Sequence, residues 1–193
     1  MYVFIPHYIF TKFKLLKVMK ILKYFNSLCI LIVCIILTGA LYFQFGLKED
    51  PCPLCLLQRM GMIGVIFGLA LNIFFGFNSK HFAVVIISAL VGGLFSIRQI
   101  LLHIAPVIGD TGYGTPVFGM HLYTWGLLIF IMSILGSAVF LFFSNHFKTG
   151  SKHIILNFEK YVSYLAAFII LVNIIATFFE CQLGPCCENG PCK

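Results

Sequence analysis

Five apolar stretches, each close to the length that crosses a bilayer, dominate this chain. They run from Tyr24 to Leu47, Met60 to Ser79, Phe82 to about Ala105, Leu122 to Asn145 and Tyr161 to Phe179. Four carry no charged residue, and the third holds only Arg98 near its far end. A hydrocarbon core takes roughly 20 apolar residues of helix to span. Lipid offers backbone groups no hydrogen-bonding partner, so only helices or closed barrels cross it. A barrel shows short alternating segments, whereas these runs are continuous. The reading is five transmembrane helices. Composition agrees, with 61% hydrophobic and 10% charged residues, against about half and about a quarter in a soluble domain. Gly64 and Gly68 form a G-x-x-x-G in the second stretch and Gly92-Gly93 lie in the third, which predicts close helix packing at all four.

The net charge of +7 does not point to nucleic acid, because the basic residues sit at the ends of apolar runs. There they orient helices. Lys12, Lys14, Lys17, Lys20 and Lys23 precede the first span, Lys80 follows the second, and Lys148, Lys152 and Lys160 lie between the fourth and fifth. These nine share one side, and outside the helices the other side keeps only Lys48 and Lys193. The positive-inside rule then places the amino terminus in the cytoplasm and the carboxyl terminus outside. Residues 20–40 also resemble a signal peptide, but the apolar run continues past the small residues Thr38-Gly39-Ala40, which favours an uncleaved helix. Met19-Lys20 would make a natural alternative start.

The eight cysteines divide by this topology. Cys29 and Cys34 fall inside the first span and read as small buried hydrophobes. Cys52 and Cys55 open the second span on the outer face. Cys181, Cys186, Cys187 and Cys192 crowd the outer tail. Six of the eight thus lie where disulfides persist. A C-x-x-C closes too small a loop to constrain the unfolded chain much. It is instead the spacing of redox dithiols.

The stretch "KEDPCPLCLLQRMG" over residues 48–61 therefore carries chemistry. Pro51 and Pro53 interrupt any helix upstream, so Cys55 falls near the first helical turn. Free N–H groups and the positive dipole end there favour a thiolate. Arg59 is four residues on, on the same face, and its guanidinium is expected to reach back over the sulfur. Interfacial snorkelling is the plain alternative for Arg59. A dithiol at this boundary can deliver electrons to an acceptor within the bilayer, and a lipid-soluble quinone is one.

"PCPLCLLQR" resembles the active-site segment of the DsbB family, bacterial membrane proteins that oxidise a periplasmic thiol oxidase and reduce quinone. The resemblance covers roughly residues 24–145 and extends to "LYFQ" ending at Gln44, to Arg98-Gln99, and to "TWGLLIF" in the fourth helix. It implies that Cys55 is the quinone-proximal cysteine, that Cys52 exchanges with a second pair, and that Arg59 is the cation of the quinone site. Gln44 is a candidate hydrogen-bonding partner near the dithiol. Arg98 and Gln99 end the third helix at the height of Arg59, and an arginine within an apolar span is a functional candidate. His103 and His121 flank the second outer loop as belt residues, and Trp125 reads as an aromatic anchor.

The family carries its second cysteine pair in the loop between helices three and four. Here that loop, about Pro106 to His121, reads "PVIGDTGYGTPVFGMH" and has no cysteine, with "VFGMH" placed along the interface. The chain adds a fifth span and a tail, and an odd number of crossings returns the tail to the side of Cys52. The tail repeats C-x-x-G-P-C, as "CQLGPC" at 181–186 and "CENGPC" at 187–192. Four cysteines allow three pairings. Gly-Pro before the second cysteine favours a turn, and ordinary geometry disfavours joining the adjacent Cys186 and Cys187. Cys181–Cys186 with Cys187–Cys192 is therefore favoured over Cys181–Cys187 with Cys186–Cys192.

The expected architecture is an all-α integral membrane protein, a DsbB-like four-helix bundle plus a fifth transmembrane helix. Its parts are a cytoplasmic segment 1–23, the four-helix domain 24–147, a cytoplasmic linker 148–160, the fifth helix 161–179 and an external tail 180–193. The expected function is a thiol-disulfide oxidoreductase of the bacterial inner membrane, with Cys52, Cys55, Cys181, Cys186, Cys187 and Cys192 as its reactive thiols. By resemblance, its donor is a DsbA-like periplasmic thiol oxidase and its acceptor ubiquinone or menaquinone. Membrane lipid is a partner, and no resident metal is expected. Two alternatives are a thiol conduit working in the reductive direction and a membrane protein whose tail thiolates hold Zn²⁺ or Cu⁺, although C-x4-C fits metal fingers less well than C-x-x-C.

Overall fold

The first helix, α1 (Ile5–Leu41), ends in a π-helical turn at Tyr42–Gly46 instead of continuing straight into the loop. The computed structural model describes residues 5–104, 114–143, 155–181, 186–187 and 190–191. Four more helices follow: α2 (Pro53–Phe75), α3 (Ser79–His103), α4 (Leu122–Phe143) and α5 (Asn157–Cys181). Among the described residues, five helices are long and apolar enough to cross a membrane, with α1 contributing from Val18. The protein is an integral membrane helical bundle. A short antiparallel ladder is added at the tail, where β1 (Cys186–Cys187) faces β2 (Gly190–Pro191). Lys148, Lys152, Lys193, the outer loop up to residue 113 and the rest of the tail lie outside the described residues, as do the side chains of Lys12, Lys14 and Lys17.

Small residues decide which helices approach most closely. Lipid is as apolar as leucine, so van der Waals fit must hold the bundle together. A Cβ on Gly61 would come within 2.7 Å of the Gly92 Cα, and one on Gly64 within 2.5 Å of Ser88 Oγ. One on Gly68 would come within 2.6 Å of Val85 Cγ2. Gly92 lies against the ring of Phe130 in α4, and Gly93 against its Cβ at 3.6 Å. The four glycines singled out in the sequence are thus packing residues, joined by Gly61. Around them α3 packs between α2 and α4, while α1 packs between α2 and α5. The core holds Ile30, Val33 and Leu37 of α1, Val65, Ile66 and Ile73 of α2, Phe130 of α4 and Val162 and Ala166 of α5. Cys34 is buried in it, Cys29 lies at its edge, and both are free thiols.

Two polar contacts pin α1 to α5, and their positions set the scale of the bundle. Lys23 Nζ lies 3.4 Å from Glu159 Oε2, and Gln44 Nε2 donates to Glu180 Oε2 at 3.2 Å. Each pair is separated by 136 residues in sequence, so the two helices run parallel and in register. Along either helix the pins are 21 residues apart, from position 23 to 44 and from 159 to 180. At 1.5 Å per residue that interval is about 31 Å, close to the thickness of a hydrocarbon core. The pins thus stand at the two ends of the apolar bundle. A buried cluster at the Lys23 end ties in the neighbours: Asn26 Nδ2 donates to Leu69 O, Asn72 Nδ2 to Asn26 Oδ1, and His81 Nδ1 lies 3.1 Å from Asn72 Oδ1. That cluster brings Lys80 to the same end as Lys23. The dithiol segment sits at the opposite one.

Candidate active site at the dithiol end of the bundle

Helix α2 starts one residue after Cys52. Pro53 takes the first helical position, where its missing N–H costs nothing. Cys52 is the N-cap, and its sulfur accepts from the Cys55 backbone N–H at 3.1 Å. Cys52 and Cys55 are joined as a disulfide. Cys52 is 6% exposed, whereas Cys55 is half-buried and lines a cavity of about 100 Å³. Its walls include Ile36, Ala40 and Phe43 from α1 and its π-turn, Met62 from α2, and Leu122, Tyr123 and Trp125 from α4. Gln44, Gln58 and Arg59 supply polar groups.

Arg59 is buried but does not reach back over the sulfur. Its Nη1 donates to Gln44 Oε1 at 2.7 Å and its Nη2 to Ala40 O at 3.0 Å. The expectation built on the i, i+4 spacing is corrected here. Desolvated guanidinium N–H groups need acceptors with oxygen lone pairs, and the last turn of α1 and the π-turn after it offer one each, Ala40 O and Gln44 Oε1.

Gln99 takes the place beside the sulfurs. It is 1% exposed, and its Nε2 donates to Cys52 Sγ at 3.2 Å and to Cys55 Sγ at 3.4 Å. Gln58 Nε2 donates to Gln99 Oε1 at 2.6 Å, which fixes the Gln99 amide with its NH₂ toward the sulfurs. Arg98, its neighbour, is exposed and is absent from the cavity wall. Adjacent helical residues point about 100° apart, so only one of the pair can face the dithiol.

An amide N–H stabilises a thiolate more than a disulfide. Gln99→Ala will therefore lower the reduction potential of Cys52–Cys55, by about 30 mV for about 1.4 kcal/mol lost from the reduced form. Equilibration in thiol redox buffers followed by alkylation measures it, and an unchanged potential removes Gln99 from the chemistry.

The described part of the loop between α3 and α4 packs beside this site, with Gly114 in the cavity wall. Val117 and Met120 form a bridge around a tight turn at Phe118 and Gly119, so "VFGMH" is a turn with Phe118 92% exposed. Thr115 hydrogen-bonds to Glu49, and His121 Nδ1 lies 3.1 Å from Gly114 O. Trp125 Nε1 donates to Val117 O at 3.1 Å. Trp125, read from the sequence as an aromatic anchor, is a wall of the cavity. His103 and His121 both stack on Tyr123, with ring centroids at 5.6 and 5.2 Å.

Two residues of this site were missed in the sequence. Gln58 stands next to Arg59, and its signal was a second amide in an otherwise apolar turn. Glu180 reaches Gln44 from α5, and its signal was a carboxylate at the carboxyl end of an apolar span, directly before Cys181. In the tail, Cys181 is buried and disulfide-bonded. Its partner, the side chains of Cys186 and Cys187, and Cys192 fall outside the described residues, and so do the pairing and metal-holding readings.

The family model described as disulfide bond formation protein DsbB matches residues 23–111. Disulfide bond formation protein B of Pseudomonas syringae pv. tomato is 30% identical over 135 residues, covering 53% of this chain and 79% of that protein. The chain belongs to the DsbB family. A second DsbB relative, disulfide bond formation protein B 1 of Pseudomonas entomophila, is 27% identical over 53% of this chain and 80% of its own length. The match to disulfide bond formation protein B of Burkholderia ambifaria is 52% identical but confined to 44 residues, 26% of that protein. No solved structure matches significantly. The DsbB family match contains the dithiol, Gln44, Gln58, Arg59 and Gln99, and it ends before α4, α5 and the tail.

Proposed function

We propose that this chain generates disulfides by moving two electrons from an external thiol protein, through its tail cysteines and Cys52–Cys55, to a membrane quinone. The observation that carries the reading is the opening of the cavity onto Cys55 and Arg59 together, between apolar walls at the membrane border. The walls suit a flat, lipid-soluble ring. Aromatic faces come from Phe43, Tyr123 and Trp125, and the buried guanidinium is a donor for a carbonyl oxygen. When bound, a quinone supplies the two-electron, two-proton acceptor.

The residues of the chain do the rest. A donor thiolate attacks a tail disulfide, and the reduced tail attacks Cys52–Cys55 at Cys52, each exchange moving two electrons inward. Cys52 is covered in the oxidised state, so this exchange requires a local opening at the start of α2. The released Cys55 thiolate stays at the amino end of α2, under the Gln99 amide and beside the cavity. The protein donor is a DsbA-like thioredoxin-fold oxidase. The lysine-rich border faces the cytoplasm, and the dithiol border the periplasm of a bacterial inner membrane.

The test is purified protein with a reduced thioredoxin-fold donor, followed by quinone absorbance over time. Donor oxidation without quinone reduction would point to another acceptor, and no donor oxidation at all would bring the reductive conduit forward. Within that assay Arg59→Ala is expected to weaken quinone use by about 1–3 kcal/mol, the range for a hydrogen bond to a charged group. Arg59→Lys restores only part, because an ammonium lacks the planar fork that meets both Gln44 and Ala40. Wild-type turnover in the alanine variant would reduce Arg59 to an interfacial anchor.

A further inference from the structure

The outer end of α5 extends into the redox site. Glu180 Oε2 accepts from Gln44 Nε2 at 3.2 Å, and Gln44 Oε1 accepts from Arg59 Nη1 at 2.7 Å. Gln44 and Arg59 are each 8% exposed, so this relay runs through the protein interior. An amide donates from one end and accepts at the other, while a guanidinium can only donate. Turning the Gln44 amide over would set its NH₂ against Arg59 and leave the carboxylate facing an oxygen. Glu180 therefore selects the one amide orientation that Arg59 can use. With Ala40 O holding Nη2, the guanidinium is fixed at two points while it lines the cavity.

We propose that Glu180 is a positioning residue of the quinone site, acting on Arg59 through Gln44, so that the fifth helix is part of the redox centre as well as the support of the tail. The inference rests on the thiol:quinone reading above and adds to it a residue on α5, beyond the family match. Glu180 also immediately precedes the buried, disulfide-bonded Cys181. The same contact thus fixes the point from which the tail departs.

The chain has a single tryptophan, Trp125, and it lines the same cavity. Quenching of its fluorescence by a short-chain ubiquinone reports binding to the full-length protein without turnover. Glu180→Ala is expected to raise this Kd, and the quinone KM with it, about tenfold, the factor for the loss of one well-placed polar contact. Glu180→Gln keeps an acceptor for Gln44 and should stay within about threefold of wild type. Gln44→Met breaks the relay one step nearer, and the same rise is expected there even if Glu180→Ala does not fold. Because Glu180 acts through Gln44, the double variant should bind no worse than Gln44→Met alone.

An unchanged Kd in Glu180→Ala or Gln44→Met, or losses that add in the double variant, overturns the inference. Wild-type protein that is neither quenched nor active with quinone removes the quinone reading and this inference with it. Quenching that is normal in wild type and in Glu180→Ala removes the inference alone.

Discussion

Serine at Cys52 or at Cys55 will abolish thiol-dependent quinone reduction while leaving the protein inserted and folded. Serine is nearly isosteric with cysteine, and both sulfurs sit at the start of α2, where a hydroxyl also caps well. The fold therefore loses little. The chemistry loses everything, because a lone thiol cannot close the disulfide that releases two electrons at once. The two variants should fail differently. With Cys55→Ser, the lone Cys52 thiolate can attack an added small disulfide and release one of its thiolates, and with no Cys55 to resolve the mixed disulfide the adduct accumulates and is read by its mass. With Cys52→Ser, the remaining Cys55 lies on the cavity side and gives less adduct. Undiminished turnover in either variant removes the C-x-x-C from the mechanism and brings the metal-binding alternative forward.

Deletion of residues 181–193 has the second large expected effect. Oxidation of the protein donor should stop, while a small dithiol should still reduce Cys52–Cys55 and drive quinone reduction. The family's second cysteine pair has no counterpart in the loop before α4, and the tail supplies four cysteines on the side of the dithiol. The described tail backbone already folds on itself, Cys186 opposite Pro191 and Cys187 opposite Gly190. The cut falls after Glu180, so the Gln44 contact is kept and quinone affinity should hold. A truncated protein that oxidises the donor at full rate means that the tail is no relay.

What the sequence made legible follows from how strongly lipid constrains it. Five helices could be read because backbone groups in hydrocarbon have no other solution, and the glycines because only they permit such approach. The site was legible where its signal was local: Cys52, Cys55, Arg59 and Gln44. It was not legible where the answer depended on a partner helix. The helical repeat places Arg59 beside Cys55, but the end of α1 and its π-turn offer oxygen acceptors and the guanidinium bonds there. Arg98 and Gln99 look equivalent in sequence, yet their directions on α3 differ, and only Gln99 meets the sulfurs. Glu180 depends on the register between α1 and α5, helices more than a hundred residues apart, which no local pattern encodes.

That register makes the α1–α5 pair a ruler. Its two pins stand one hydrocarbon thickness apart on both helices, so neither helix can slide along the other without breaking both contacts. In a bilayer of a different thickness the pair must adapt by tilting as one body. One end of the ruler is Lys23 with Glu159, a charged pair suited to the headgroup level. The other is the Gln44–Glu180 contact, which holds Arg59. A change in lipid chain length is therefore expected to reach Arg59 as a change in the angle of the α1–α5 pair, read as a change in quinone KM between bilayers of short and long chains.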